Sequence, residues 1–232
     1  MKKFIKKIIF GKKGNNNDYI KYLRKKGCKI GNGVIVHDIR HTFIDPTRPF
    51  LIEIGDNVQI TRGVTILTHG YDWSVLKNKY NEMLGSAGKV VIGNNVFIGM
   101  NSTILKNVNI GDNVIIGANS LINKDIPSNT VYAGNPAKFI CTIEDYYKKR
   151  KIEYINEAKE LAITYYKRYK KIPPIEIFDE FFPLFLERNI NVVKKYGFSF
   201  GGEFDNKVID EFLKSKPLFN GYDEFLKWCG VK

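Results

Sequence analysis

The apolar positions of this chain follow a period that belongs to neither a helix nor a half-buried strand. Ile92, Ile98, Ile104, Ile110, Ile116 and Ile122 stand six apart. Val96, Ser102, Val108, Val114 and Ser120 form a second set, each four places after an isoleucine. Gly93, Gly99, Gly111, Gly117 and Asn123 directly follow isoleucines. Self-similarity at a fixed period is an internal repeat and takes precedence over other readings. It predicts a parallel β-helix in which each six-residue unit makes one short strand and one tight turn. The isoleucine points inward, and the small or β-branched residue four places on fills the remaining interior. The glycine or asparagine after the isoleucine is expected to give the corner its positive φ. Three units close a triangular coil, and coils stack at about 4.8 Å, the ordinary strand spacing. One coil cannot bury its own apolar face, so several must stack.

The pattern begins at Ile30-Gly31-Asn32-Gly33-Val34 and returns at Ile54, Ile60 and Ile66. Between these, His37, Asp38, Arg40, His41, Asp45, Arg48 and two prolines interrupt a less regular coil. The count comes to about four to five coils. Residues 69–88 (HGYDWSVLKNKYNEMLGSAG) leave the coil, and register resumes at Val90 or Ile92. A long excursion from a rigid scaffold is usually functional, and Tyr71, Trp73, Tyr80 and Met83 can wall a pocket. After Ile122, prolines and Gly134-Asn135-Pro136 end the coil. From Ile143 the six-residue period is gone. A long charged helix over 144–170, a break at Pro173-Pro174 and helices around 177–189, 208–214 and 222–228 are expected. Their aromatics (Phe178, Phe181, Phe182, Phe185, Phe212, Phe225, Trp228) read as core. The predicted organisation is a basic N-terminal helical arm (1–27), a mainly β domain (28–142, with the loop at 70–88) and an α-helical C-terminal region (143–232).

The net charge of +13 suggests nucleic acid until its placement is examined. Residues 1–29 hold 11 Lys/Arg against one acid, residues 30–142 hold 9 against 8, and residues 143–232 hold 17 against 15. The repeat domain is nearly neutral and has no basic stripe with interleaved aromatics, so no nucleic-acid partner is expected. In the opening MKKFIKKIIF, Phe4, Ile5, Ile8 and Ile9 share one helical face opposite Lys2, Lys3, Lys6 and Lys7. Two readings stand: a helix lying on an anionic membrane surface, or a short helix packed on the domain end. The run is too short to span a bilayer and lacks the pattern of a signal peptide. The cysteines, Cys28, Cys141 and Cys229, are odd in number and far apart, which fits reduced thiols in a cytoplasm. The histidines lack the acid or cysteine spacing of a catalytic zinc site, so no metal is expected.

His69 stands where the regular coil gives way to the excursion, fixed by the scaffold yet able to reach a cleft. Imidazole titrates near neutrality and accepts a proton from a hydroxyl or amine. A lone histidine also serves structural roles, and both readings stand on the residues alone.

The repeat, the stretch Gly63-Val64-Thr65-Ile66-Leu67-Thr68-His69 before a loop, then IGNNVFIG, KDIP and AGNPAK, resemble the hexapeptide-repeat acyltransferases. Within them the chain looks like maltose/galactoside O-acetyltransferases and the acetyltransferases of capsular polysaccharide. The resemblance implies a left-handed coil and a homotrimer with active sites between neighbours. It also implies acetyl-CoA as acyl donor and a sugar or glycan as acceptor. His69 would be the general base, oriented by a carboxylate or backbone carbonyl, with Glu82 and Asp72 as loop candidates. Met100, Ala118, Asn123, Lys124 and Lys138 match positions that meet CoA. Asn123 stands where the family has threonine, and Lys138 where it commonly has arginine, which keeps charge but loses the bidentate fork. His37, with Asp38 or His41 if the register slips, falls at a sugar-contacting position, and Met83 matches a loop residue lining the sugar. Glu82 and Trp73 complete the candidate acceptor site. The function implied is O-acetylation of a sugar hydroxyl in surface-polysaccharide synthesis, in the cytoplasm or at the inner membrane face. The alternatives are N-acetylation of an amino sugar and a non-catalytic β-helix scaffold with a partner-binding helical tail.

Overall fold

The computed structural model describes residues 15–200 and 206–232. The expectation for the basic arm at residues 1–13 lies outside the described residues. The chain divides into two compact units, Met1–Tyr146 and Tyr147–Lys232.

In the first unit, strands of two to four residues wind around three faces. Sheet A stacks β1 (Lys29–Ile30), β4 (Ile52–Ile54), β7 (Val90–Ile92) and β10 (Val108–Ile110). Sheet B stacks β2 (Ile35–Val36), β5 (Gln59–Ile60), β8 (Val96–Ile98), β11 (Val114–Ile116) and β13 (Thr130–Ala133). Sheet C stacks β3 (Phe43–Ile44), β6 (Thr65–Ile66), β9 (Thr103–Ile104) and β12 (Leu121–Ile122). Neighbours within these stacks pair in parallel. Four coils are therefore complete, and β13 adds a further layer to sheet B. There β14 (Lys138–Thr142) turns back antiparallel on β13.

The repeat isoleucines from Ile92 to Ile122 are at most 2% exposed, each contributing about 1.5–3 kcal/mol by burial. Where the inward position is serine, its polarity is satisfied. Ser102 and Ser120 donate to the Gly117 carbonyl at 3.0 and 2.6 Å, and Ser120 accepts from the Gly134 N–H at 3.1 Å.

The corner chemistry differs from the expectation. Positive φ belongs to Asn95, Asn101, Asn107, Asn113 and Asn119, three places after each isoleucine, with φ between 54° and 60°. Asparagine tolerates this region because its short side chain hydrogen-bonds locally. The glycine next to the isoleucine answers another demand, the close approach of coils. A Cβ on Gly93 would lie 2.8 Å from the Gly111 carbonyl oxygen.

Helix α1 (Asn16–Lys26) closes the open end of the first coil with Tyr19, Ile20 and Leu23 buried. Its Asn16 amide donates to the Val34 carbonyl at 2.9 Å and accepts from the Val36 N–H at 2.8 Å, continuing the edge that no strand among the described residues covers. The excursion carries α2 (Trp73–Tyr80), in which no residue is buried.

The second unit follows the start of α3 (Ile143–Tyr169). Ala158 and Ala162 of α3 join Phe178, Phe182, Phe185, Phe198, Phe212, Phe219 and Phe225 in a core of its own. The helix expected around 177–189 is replaced by two 3-10 turns, Ile175–Phe178 and Phe182–Leu184. Pro183 lacks the N–H that an α-helix interior needs. The chain becomes helical only at α4 (Ile190–Lys195), capped by Asn189 accepting from the Asn191 N–H. The unit ends in α5 (Asn206–Lys214) and α6 (Tyr222–Cys229). No helix among the described residues is long and apolar enough to cross a membrane.

Candidate active site

Sheet C ends at an edge, here edge CA, where the chain turns toward sheet A. In the second coil, Thr68 and His69 follow β6 there. The excursion begins and ends as a narrow neck: His69 bridges Ala87 in antiparallel sense, and the Gly88 N–H donates to the Thr68 carbonyl at 2.9 Å. The imidazole is thus held by backbone on both sides of the chain's departure.

The group that orients it comes from the first coil. Phe43 and Ile44 pair with Thr65 and Ile66 in register, and the Asp45 N–H donates to the Ile66 carbonyl at 3.1 Å. This register places Asp45 one layer from Thr68 and His69. His69 Nδ1 lies 2.7 Å from Asp45 Oδ2, with the aspartate side chain fully buried and the histidine side chain 13% exposed. The loop acids Glu82 and Asp72 are both exposed and do not fill this role. The expectation fails because the irregular first coil, read as an interruption, still stacks in register.

Asp45 is saturated with donors. Oδ2 also accepts from the Thr68 N–H at 3.1 Å and from the Thr68 hydroxyl. Oδ1 accepts from the Thr47 N–H at 2.9 Å and the Thr47 hydroxyl at 2.7 Å. Burial alone would push the carboxyl up. The hydrogen bonds from Thr68, Thr47 and His69 outweigh burial and hold it far below the usual carboxylate range. A carboxylate only accepts, so Nδ1 carries the proton of the neutral imidazole and Nε2 keeps its lone pair. The Thr47 oxygen stands 3.4 Å from Nδ1. Its hydroxyl proton is directed at Asp45, so it presents a lone pair to the ring. Tyr71 packs edge-on against His69 at 5.1 Å between ring centroids, and Trp73 lies tilted against Tyr71 at 6.3 Å.

The other sequence candidates fall on two edges. Asn123 and Lys124 follow β12 on edge CA, two coils beyond His69, and are exposed. Met100 and Ala118 follow β8 and β11 on edge BC, where sheet B turns toward sheet C. They are adjacent layers, with the Asn119 N–H donating to the Met100 carbonyl at 2.7 Å. Lys138, paired with Ala133 at the end of the β13–β14 hairpin, continues that edge. His37 and Asp38 follow β2 on the same edge in the first coil. His37 Nε2 meets Gln59 Oε1 at 2.8 Å. Met83 and Glu82 stand exposed in the excursion beyond α2. The chain therefore brings His69, Asp45, Tyr71 and Trp73 together and leaves Met100, Ala118 and Lys138 on a different edge. No group of three or more His, Cys, Asp or Glu among the described residues is placed to hold a metal ion.

Sequence reasoning missed Asp45 and its two threonines. The available signal was alignment of the irregular coil on the regular one through Ile44 and Ile66, which sets Asp45 beside the residues before His69.

Comparison with known proteins agrees with the coil. Residues 89–124 match the family described as bacterial transferase hexapeptide (six repeats). Protein CapG of Staphylococcus aureus is 41% identical over 179 residues, spanning 69% of this chain and 98% of CapG. Galactoside O-acetyltransferase of Escherichia coli (strain K12) is 41% identical over 109 residues, and the match spans 45% of this chain and only 53% of that enzyme. Among solved structures, a maltose O-acetyltransferase from Clostridium difficile 630 aligns with 30% identity and a TM-score of 0.39, covering 54% of this chain and 75% of that one. With the repeat matched and CapG covered almost end to end, the chain belongs to the hexapeptide-repeat acyltransferase family.

Proposed function

We propose that this protein transfers an acetyl group from acetyl-CoA to a sugar hydroxyl, with His69 as general base and Asp45 as the group that orients it. The observation that carries the reading is the buried Asp45–His69 hydrogen bond at the neck of the excursion. Nε2 takes the proton of the acceptor hydroxyl as its oxygen attacks the thioester carbonyl. A tetrahedral adduct forms, its C–S bond breaks, and the proton on Nε2 leaves with the CoA thiolate. Asp45 remains a carboxylate throughout and stabilises the imidazolium. Transfer to a sugar hydroxyl is further supported by the similarity to the galactoside O-acetyltransferase of Escherichia coli.

The donor is proposed to lie against Met100, Ala118 and Lys138 of one copy and Asn123 and Lys124 of another. The two sets sit on different edges of one coil stack. A cyclic trimer in which edge BC of one copy meets edge CA of the next would bring them to His69, and closed rotational symmetry would complete three such sites. In that trimer His37, Asp38, Glu82, Met83 and Trp73 would line the acceptor side.

The test is release of the CoA thiol from acetyl-CoA over a panel of sugars, with oligomer mass measured in the same buffer. Acceptor-dependent thiol release by a trimer, lost in His69→Ala, is the expected outcome. Turnover that survives His69→Ala unchanged would remove His69 from the chemistry and with it the proposed mechanism.

A further inference from the structure

Edge BC carries a second cluster of charged and titratable groups, on the same two coils that supply Asp45 and His69. Asp38 Oδ1 accepts from the N–H groups of Arg40 and His41 at 3.2 and 3.3 Å. Asp38 Oδ2 accepts from His41 Nδ1 at 2.7 Å and pairs with Arg62 Nε at 3.5 Å. The carboxylate is therefore occupied entirely by this corner of the protein. It acts as a bracket that orients His41 through a hydrogen bond and keeps Arg62 beside it as an ion pair. Nη1 and Nη2 of Arg62 and Nε2 of His41 make no hydrogen bond among the described residues. Both side chains are more than half exposed. A guanidinium whose Nε faces a carboxylate keeps its two terminal nitrogens for a second oxyanion.

We propose that Arg62 and His41 form a binding site for an anionic group of the acceptor, a uronate carboxylate or a sugar phosphate, so that the acceptor is an acidic sugar rather than a neutral one. As an acceptor determinant the site rests on the acetyl-transfer reading above. Its position fits that reading: Met100, Ala118 and Lys138 occupy later layers of edge BC, leaving the first two coils to the acceptor. The Asn101 N–H donates to the Arg62 carbonyl at 2.9 Å, a backbone bond that side-chain truncation leaves in place. Arg62→Ala therefore retains the coil.

Two measurements on the full-length protein separate the possible outcomes. In the first, glucuronate and inorganic phosphate are titrated calorimetrically into the wild type, Arg62→Ala and Arg62→Lys. Saturable binding weakened about 10- to 100-fold in Arg62→Ala, the usual worth of a charged hydrogen bond, and partly recovered in Arg62→Lys is the expected result. Absence of binding, or equal binding by all three proteins, overturns the site. The stronger of the two ligands identifies the kind of anion. In the second, acetyl transfer is compared between methyl galactoside, methyl galacturonide and galactose 1-phosphate. The ratio of kcat/KM for an anionic over the neutral acceptor should exceed ten and fall toward one in Arg62→Ala through KM. A ratio near one in the wild type overturns the acceptor assignment. If acetyl-CoA neither binds nor turns over with any acceptor, the acetyl-transfer reading and the acceptor assignment fail together. The titration still decides independently whether the anion site exists.

Discussion

Two histidine–aspartate contacts of identical length stand on neighbouring edges of one coil stack. Nδ1 to Oδ2 is 2.7 Å in His69–Asp45 and in His41–Asp38. The side chains of the first pair are 13% and 0% exposed, those of the second 56% and 26%. Separation alone therefore does not distinguish the proposed base at His69 from the bracket at Asp38; burial and the surrounding donors do. Around Asp45, water is excluded and two threonines complete the carboxylate's shell, so its charge acts through a low dielectric and fixes one tautomer. Around Asp38, solvent screens the charge, and the carboxylate organises a turn and an arginine. Hydrogen bonds from His41 and Arg40 also hold Asp38 below its usual range, against a desolvation effect of opposite sign. A depressed carboxyl is thus common to both pairs and does not separate them.

The sharpest way to test this contrast is at His69. His69→Ala should lower kcat by about 10²–10⁴, the range of a positioned general base, in a protein whose β-helix unit remains folded. Asp45→Asn should follow with a loss of up to about 10⁴ in kcat, since an amide supports the wrong tautomer as readily as the right one. Steady-state kinetics checks both. A loss in Asp45→Asn confined to KM would mean that Asp45 places the acceptor and not the imidazole.

Asp45→Ala leaves the donors of the buried Thr68 without an acceptor, at about 1–3 kcal/mol, while the exposed Thr47 can turn to solvent; denaturant titration of the β-helix unit reads the loss. The pH dependence has a defined sign. The folded carboxyl lies far below its unfolded value of about 3.9. Its contribution to stability is complete above about pH 5 and is lost only as pH falls from there through the folded value. The stability gap between wild type and Asp45→Asn should narrow as pH falls below about 4. A gap unchanged down to about pH 2 would mean that Asp45 is not held as a strong acid.

The same contrast explains what was legible in the sequence. The six-residue period marked Ile92 to Ile122 as interior because each isoleucine meets the same demand in every coil. His69 could be located because it ends a regular stretch. Asp45 was hidden because its coil has replaced the repeat's glycines and valines with prolines, a threonine and an arginine. Its partnership with Thr68 and His69 depends on stacking register, which local spacing does not display. The positive-φ residue was misplaced for a related reason. The glycine beside the isoleucine looked like the turn residue, whereas its small size answers the approach of the next coil. In the second unit, Pro183 made the broken segment legible in principle, but the aromatic spacing around it resembled a helix face.

The smallest expected effect lies at the exposed pair. His41→Ala and Asp38→Asn should each leave the thermal midpoint of the β-helix unit within about 2 °C of the wild type, because exposed ion pairs contribute little. Differential scanning calorimetry at neutral pH and at two salt concentrations checks this. A fall of more than about 5 °C in either variant would mean that the corner at Asp38 is as demanding as the one at Asp45. The distinction drawn from burial would then fail, and the Arg62–His41 pair would have to be read as a structural clamp before any role in recognition.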